Sequence, residues 1–200
     1  MYHKITIFFR ECTHWLTGYF SILGSALVLL VTIFFLSVMH RPIWCACGDF
    51  FPWAGEVLSP HNSQHFFDPY SLTHLLHGFL ICWLLGKASP RGSWWVRLWM
   101  TVALESGWEL LENSEFIIQR YRTTTFSLGY TGDSIANSIG DILFCILGFI
   151  LSGRIGFGRS LVLLLAIEII LLIWIKDSLL LNIILLIYPV EFLKTWQLSH

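Results

Sequence analysis

Charged side chains are scarce. Asp, Glu, Lys and Arg make up 12% of the 200 residues, where a soluble domain carries about 25%. With 56% hydrophobic residues and a mean hydropathy of +0.68, this excludes an ordinary water-soluble globule. The net charge of −1 excludes a basic nucleic-acid surface. No internal repeat is visible, which speaks against inverted-repeat transporters. No Gly-x-Ser-x-Gly string supplies a nucleophile elbow, so Ser63 and Ser71 are poor nucleophile candidates. The Glu-x-x-His signature of di-metal bundles is missing too. Of five cysteines, only Cys45 and Cys47 are neighbours. Their Cys-x-Cys spacing is shorter than the common zinc spacing, leaving a strained disulfide, a metal chelate or two free thiols. Cys82 and Cys145 read as small core residues.

Apolar length is what the chain has instead. Six spans fit, at about 18–39, 71–87, 98–118, 134–153, 160–175 and 178–193, against the ~20 residues that cross a bilayer. The last two are separated only by Lys176–Asp177, as a tight hairpin or a partly re-entrant pair. The expected fold class is therefore all-α, a polytopic bundle of about six transmembrane helices in one integral membrane domain, 1–200. No small-residue cleavage site follows Tyr19–Met39, so that stretch reads as a retained anchor. Lys4, Arg10, Lys87, Arg91, Arg97, Arg154, Arg159 and Lys194 fall on one side. Arg41, Arg120, Arg122 and Lys176 fall on the other, eight against four. The positive-inside rule makes the first side cytoplasmic, with both termini inside.

Three polar stripes interrupt these spans. One holds His74 and His77, the second Glu105, Glu109, Glu112 and Asn113, the third Asp133, Asn137 and Asp141. Spacings of three and four put each set on one helix face. Ionisable groups at bilayer depth must pair, face a wet cavity or bind something. Counted from the cytoplasmic edge, His74 is thirteen residues from Lys87, Glu109 twelve from Arg97 and Asp141 thirteen from Arg154. At ~1.5 Å per residue all three sit about 18–20 Å deep, so the stripes should meet in one cavity open to the outer side. The competing structural readings are interhelical hydrogen bonding for Asn113, Asn137 and Ser138, and a helix N-cap for Asp133. Glu168 and Asp177 read as local ion pairs or caps.

The outer side carries two polar loops. The loop 40–70 holds Cys45, Cys47, His61, His65 and Asp68, and Gln119–Gly132 holds Arg120 and Arg122. The arginines either neutralise outer carboxylates and meet substrate, or belong to a solvated loop.

Several strings together resemble a known pattern. They are Trp44-Cys45-Ala46-Cys47-Gly48, Ser59-Pro60-His61-Asn62-Ser63-Gln64-His65, Ser71-Leu72-Thr73-His74-Leu75-Leu76-His77-Gly78-Phe79 and Glu105-Ser106-Gly107-Trp108-Glu109-Leu110-Leu111-Glu112-Asn113-Ser114. Arg120-Tyr121-Arg122 and Gly132-Asp133-Ser134-Ile135-Ala136-Asn137-Ser138 complete it. The pattern, from about Trp44 to Trp196, resembles an uncharacterised family of small bacterial inner-membrane proteins, a domain of unknown function. The resemblance implies a six-helix inner-membrane protein and no particular activity. A more distant similarity is to VanZ-like membrane proteins, through Asp133-Ser134-Ile135-Ala136-Asn137.

Imidazole and carboxylate ligands suit zinc, iron or manganese. A catalytic metal takes about three protein ligands and an open position. His74, Glu109 and Asp141 could supply these, with His77 or Glu112 as further ligands and His61 and His65 closing over from the loop. Catalysis would then rest on Glu109, His74, Asp141 and Glu112. Arg120, Arg122, Asn113, Asn137, Asp133 and Glu105 would bind substrate. The expected activity is a metal-dependent hydrolase or transferase on a lipid or lipid-linked substrate, in the bacterial inner membrane, with the site facing the periplasm. Metal-free acid/base catalysis by His74 with a carboxylate is a second route. The alternatives are a non-enzymatic metal or lipid-headgroup binder or carrier, with Cys45, Cys47, His61 and His65 as a loop that captures copper, and an assembly factor for a membrane complex.

Overall fold

The computed structural model describes the backbone of residues 2–199 and the side chains of residues 16–199. Lys4, Arg10 and Cys12 thus lie outside the described side chains. The described residues form eight helices and no strand: α1 (Tyr2–Val38), α2 (Ser71–Ala88), α3 (Trp94–Glu112), α4 (Glu115–Thr124), α5 (Ile135–Ile155), α6 (Phe157–Trp174), α7 (Leu179–Ile187) and α8 (Glu191–Leu198). Among the described residues, three segments are long and apolar enough to cross a membrane: Leu16–Val38, Ile135–Ile155 and Phe157–Trp174. Their outer faces are bare. Leu27, Leu30 and Phe34 of α1 and Val162 and Ile173 of α6 are all more than 60% exposed. A contiguous apolar surface of this kind belongs against acyl chains, not water. The protein has the build of a membrane protein.

Glycine sets the closest contact in the bundle. A Cβ on Gly78 of α2 would collide with the Cys145 carbonyl of α5, and one on Gly148 would collide with the Leu75 carbonyl. The two backbones therefore touch, as small residues permit in membrane helices. Leu75 lies against Gly148 and Cys82 against Gly153, so α2 and α5 run parallel. α3 runs the other way, since Trp94 approaches Gly153 while Asn113 reaches Asp133 and Ser138. On α1, Gly18 and Gly24 make room for Trp95 and Trp99 of α3, and a Cβ at Gly24 would stand 2.7 Å from the Trp99 indole nitrogen.

These contacts gather the loop 40–70, the starts of α2 and α5 and the end of α3 at one end of the bundle. The start of α5 is built for that. Ser134 caps the helix by accepting from Asn137 N at 3.0 Å, while its own N–H donates to Ser63 O at 2.8 Å. Gly132 just before it has φ +93°, a left-handed turn that glycine adopts without strain.

Three topological expectations change. The span expected at 178–193 is two short helices, α7 and α8, parted at Tyr188-Pro189-Val190. Proline removes an amide donor and breaks the helix. The 9 residues of α7 rise only about 14 Å, less than half a ~30 Å hydrocarbon core. The span expected at 98–118 likewise stops at Glu112, where Ser114 caps a new helix, α4. Both termini were expected on one side. Instead Lys176 Nζ donates to Ser199 O at 2.7 Å and Lys194 Nζ to Thr123 O at 2.6 Å. The C-terminal segment therefore lies with α4 at the loop end, opposite the Gly18–Trp95 contact of α1.

Candidate functional site

His74 sits in the first turn of α2, and Glu105 and Glu109 lie one helical turn apart on α3. Asp141 lies in the second turn of α5. Helical periodicity aims all four inward, and all are at most 5% exposed. His74 Nδ1 lies 2.6 Å from Glu105 Oε1, and His77 Nδ1 lies 3.0 Å from the same oxygen. A carboxylate only accepts. Both rings therefore present Nδ1–H to Glu105; in the neutral tautomer this leaves the lone pair on Nε2. His74 Nε2 lies 3.9 Å from Asp141 Oδ2, and Glu109 Oε1 lies 3.4 Å from His74 Nδ1. Ligand atoms of His74, Glu109 and Asp141 all lie within 4.8 Å of one another. Those of His74, His77 and Glu105 do too, but there the contacts are hydrogen bonds.

The carboxylates themselves are poorly satisfied. Both Glu109 oxygens, Asp141 Oδ1 and Glu112 Oε2 are buried without a hydrogen-bond partner among the described residues. Such a group takes up a proton, a cation or a bound water. The cluster opens into a cavity of about 160 Å³ lined by Tyr70, His74, His77, Trp108, Glu112, Tyr121, Tyr130, Asp133, Asp141, Leu179, Ile183 and Leu186, among others. That is well above the ~10–15 Å³ that holds one water. One wall carries phenols and the other aliphatic side chains. Burial, then the charges of Glu112 and Asp133, push the Tyr121 and Tyr130 phenols well above their usual range. Both remain O–H donors.

Asn113 and Asp133 form a frame beside this centre. Asn113 Nδ2 donates to Asp133 Oδ2 at 2.9 Å, and its carbonyl accepts from Asp133 N at 2.7 Å. Tyr130 OH donates to the other Asp133 oxygen at 2.9 Å. Ser134, not Asp133, is the N-cap of α5. Asn137 is buried and approaches Asp68 at 3.5 Å. Asp68 caps the start of α2, its carboxylate accepting from Tyr70 N at 2.7 Å and Ser63 N at 2.9 Å. Burial, with Asp133 nearby, lifts its pKa to about 6.

Some expected members lie elsewhere. Arg120 donates to the carbonyls of Leu186 and Ile187 and so caps α7, while Arg122 donates to Leu128 O. Neither lines the cavity, because each guanidinium is taken up by backbone oxygens. His61 and His65 do not close over His74. They join Cys45 and Cys47 in a separate cluster whose ligand atoms lie within 4.8 Å of one another. Glu168 is a cap, as its two oxygens accept from Leu179 N and Leu180 N. The aromatic lining of Tyr70, Trp108, Tyr121 and Tyr130 was missed. Its only sequence signal was the spacing of Trp108 and Glu112 on one helix face.

The family model described as "Protein of unknown function (DUF2585)" matches residues 36–199. The chain belongs to the DUF2585 family. It is 42% identical to a UPF0314 protein of Sphingopyxis alaskensis, over 88% of this chain and 93% of that one. A UPF0314 protein of Paracoccus denitrificans is 39% identical over 94% of this chain and 93% of its own. One from Brucella anthropi is 40% identical over 88% and 90%. No solved structure matches the chain.

Proposed function

We propose that this DUF2585 protein is a metal-dependent hydrolase or transferase of the bacterial inner membrane, acting on a lipid or lipid-linked substrate from the periplasmic side. The reading rests on one observation: the unpartnered buried oxygens of Glu109 and Asp141 stand around His74, and His74 and Asp141 line the cavity. At this depth their charge needs a counter-ion. His74 Nε2, Glu109 and Asp141 would hold one divalent ion of the zinc, iron or manganese class, leaving a position open to the cavity. Glu105 would serve as positioning residue, fixing the tautomer of both histidines through Nδ1.

The chemistry follows from that arrangement. A Lewis-acidic ion lowers the pKa of bound water and polarises a phosphoryl or acyl oxygen. Glu112, facing the cavity with one free oxygen, would move the proton. Tyr121, bonded to Glu112, and Tyr130, bonded to Asp133, would hold those carboxylates in place beside the cavity. Leu179, Ile183 and Leu186 would receive the apolar part of an amphiphile. The orientation rests on Lys87, Arg91, Arg97, Arg154 and Arg159, which flank the helix ends away from the loops.

Detergent-purified protein tests this by elemental analysis beside turnover of phospholipid and lipid-linked phosphate substrates. Each is measured in a Cys45→Ser, Cys47→Ser background to remove the second cluster. One equivalent of metal, lost with His74→Ala and Glu109→Gln together with turnover, supports the reading. No metal in the parent background refutes it. Metal without turnover on any amphiphile reduces the site to a binding centre.

A further inference from the structure

The second cluster lies outside the lipid-facing helices and is not used in the proposed reaction. We propose that Cys45, Cys47, His61 and His65 form a closed structural zinc site that clamps the outer loop. The inference stands independently of the intramembrane centre.

Four donors converge from a stretch of 21 residues, 45–65. Cys45 Sγ lies 3.3 Å from His61 Nδ1, and Cys47 Sγ lies 3.6 Å from His65 Nε2. With Zn–S near ~2.3 Å and Zn–N near ~2.0–2.1 Å, tetrahedral geometry puts sulfur and nitrogen about 3.6 Å apart across the ion. The Cys47–His65 pair is at that separation, and the Cys45–His61 pair is slightly closer. No disulfide forms, and both cysteines are free thiols. His65 Nδ1 is 2.5 Å from Phe51 O. A carbonyl accepts, so Nδ1 carries the proton and Nε2 offers its lone pair toward Cys47. That is the backbone support typical of metal-bound imidazole. The Cys47 amide points at Cys45 Sγ at 3.4 Å and would stabilise a thiolate there.

The donor set decides the metal. Two thiolates and two imidazoles fill a tetrahedron, the closed arrangement of structural zinc. Copper(I) is better served by sulfur alone. The Cys-x-Cys spacing looked too short for zinc only because the other two ligands are histidines from later in the loop. The clamp also has a target. Between His61 and His65 lie Asn62 and Ser63, which line the intramembrane cavity. Gln64 Nε2 donates to Gly132 O at 2.8 Å and Ser134 Oγ donates to Gln64 O at 3.0 Å. Zinc would therefore fasten the cavity rim to the start of α5.

Cobalt(II) titration of the metal-stripped full chain in detergent tests the proposal. Tetrahedral cobalt bound to thiolate gives intense visible bands and a near-ultraviolet sulfur-to-metal charge-transfer band. The expected result is these bands at one equivalent, displaced by zinc, in the wild type and in His74→Ala/Glu109→Gln. They should vanish in Cys45→Ser/Cys47→Ser. Zinc should also protect both thiols from a thiol reagent in the wild type, a readout that needs no variant. Absence of the charge-transfer band in the wild type overturns the proposal, as does its displacement by copper(I) but not by zinc. Persistence of the bands in the cysteine double variant overturns it as well.

Discussion

Replacing Glu105 by glutamine distinguishes a positioning carboxylate from a ligand. Glu105 Oε1 accepts from His74 at 2.6 Å and from His77 at 3.0 Å in a site 1% exposed. Glutamine keeps a carbonyl acceptor at nearly the same place but removes the charge. Hydrogen bonds to a charged group contribute about 1.5–3 kcal/mol, neutral ones about 0.5–1.5. Two such bonds therefore weaken by about 2 kcal/mol in total, or roughly 30-fold in an equilibrium constant. That agrees with the ~10–100-fold usual when a metal-bound histidine loses its outer partner. The assay is competition for zinc or manganese against a chromophoric chelator, with Cys45 and Cys47 replaced by serine. Glu105→Gln should bind one equivalent at saturation with an affinity about 30-fold weaker. Loss of the equivalent at saturating metal would make Glu105 a ligand. An unchanged affinity would show that Nδ1 orientation does not matter. Either result refutes the reasoning.

Other expectations follow from packing and titration. Gly148→Ala pushes a methyl into the Leu75 carbonyl. It should destabilise the bundle by about 1–3 kcal/mol, read as a lower midpoint in detergent thermal denaturation, and weaken metal binding by parting His74 from Asp141. Asn113→Ala strips Asp133 of two hydrogen bonds. It should cost about 1–3 kcal/mol in the same assay. Arg120→Ala should lower stability through the end of α7 yet leave metal affinity unchanged, since its guanidinium faces only carbonyls. Asp177 supplies a pH dependence. Burial lifts its pKa from 3.8 to about 7, against donors Ser178 N, Tyr70 OH and Asn182 Nδ2 and with Glu168 nearby. The folded state binds this proton more tightly, so the contribution is full below pH ~4 and is lost as pH rises through ~7, about 4 kcal/mol in all. Denaturation midpoints should fall between about pH 4 and 7 in the wild type and flatten in Asp177→Asn.

The lipid-facing helices were legible because apolar length is a property of the chain itself. Tyr19–Met39 needs no partner to be recognised, and α5, α6 and the end of α1 fall within about three residues of the expected edges, although α1 itself begins at Tyr2. The central site was legible for a related reason. Periodicity places His74, Glu109 and Asp141 on single faces, and counting from the basic edges gives one depth. The fate of the arginines was not legible. Arg120 could pair with carboxylates or carbonyls, and only the position of α7 made the choice.

By itself, then, the sequence determined the all-helical membrane build and which faces carry charge, because both depend on local period and composition. The tertiary structure alone decided which polar groups share a centre. The sequence left His61 and His65 open to the central site or to a loop site with Cys45 and Cys47, and the loop folds them onto the cysteines. It also decided the topology of the C-terminal segment. The run 178–193 is apolar enough to read as a span, yet Pro189 breaks it, and hydrogen bonds from Lys176 and Lys194 hold it at the loop end. Hydropathy sums over residues and cannot register such contacts. They join positions 23 and 71 residues apart, and only the folded chain brings them together.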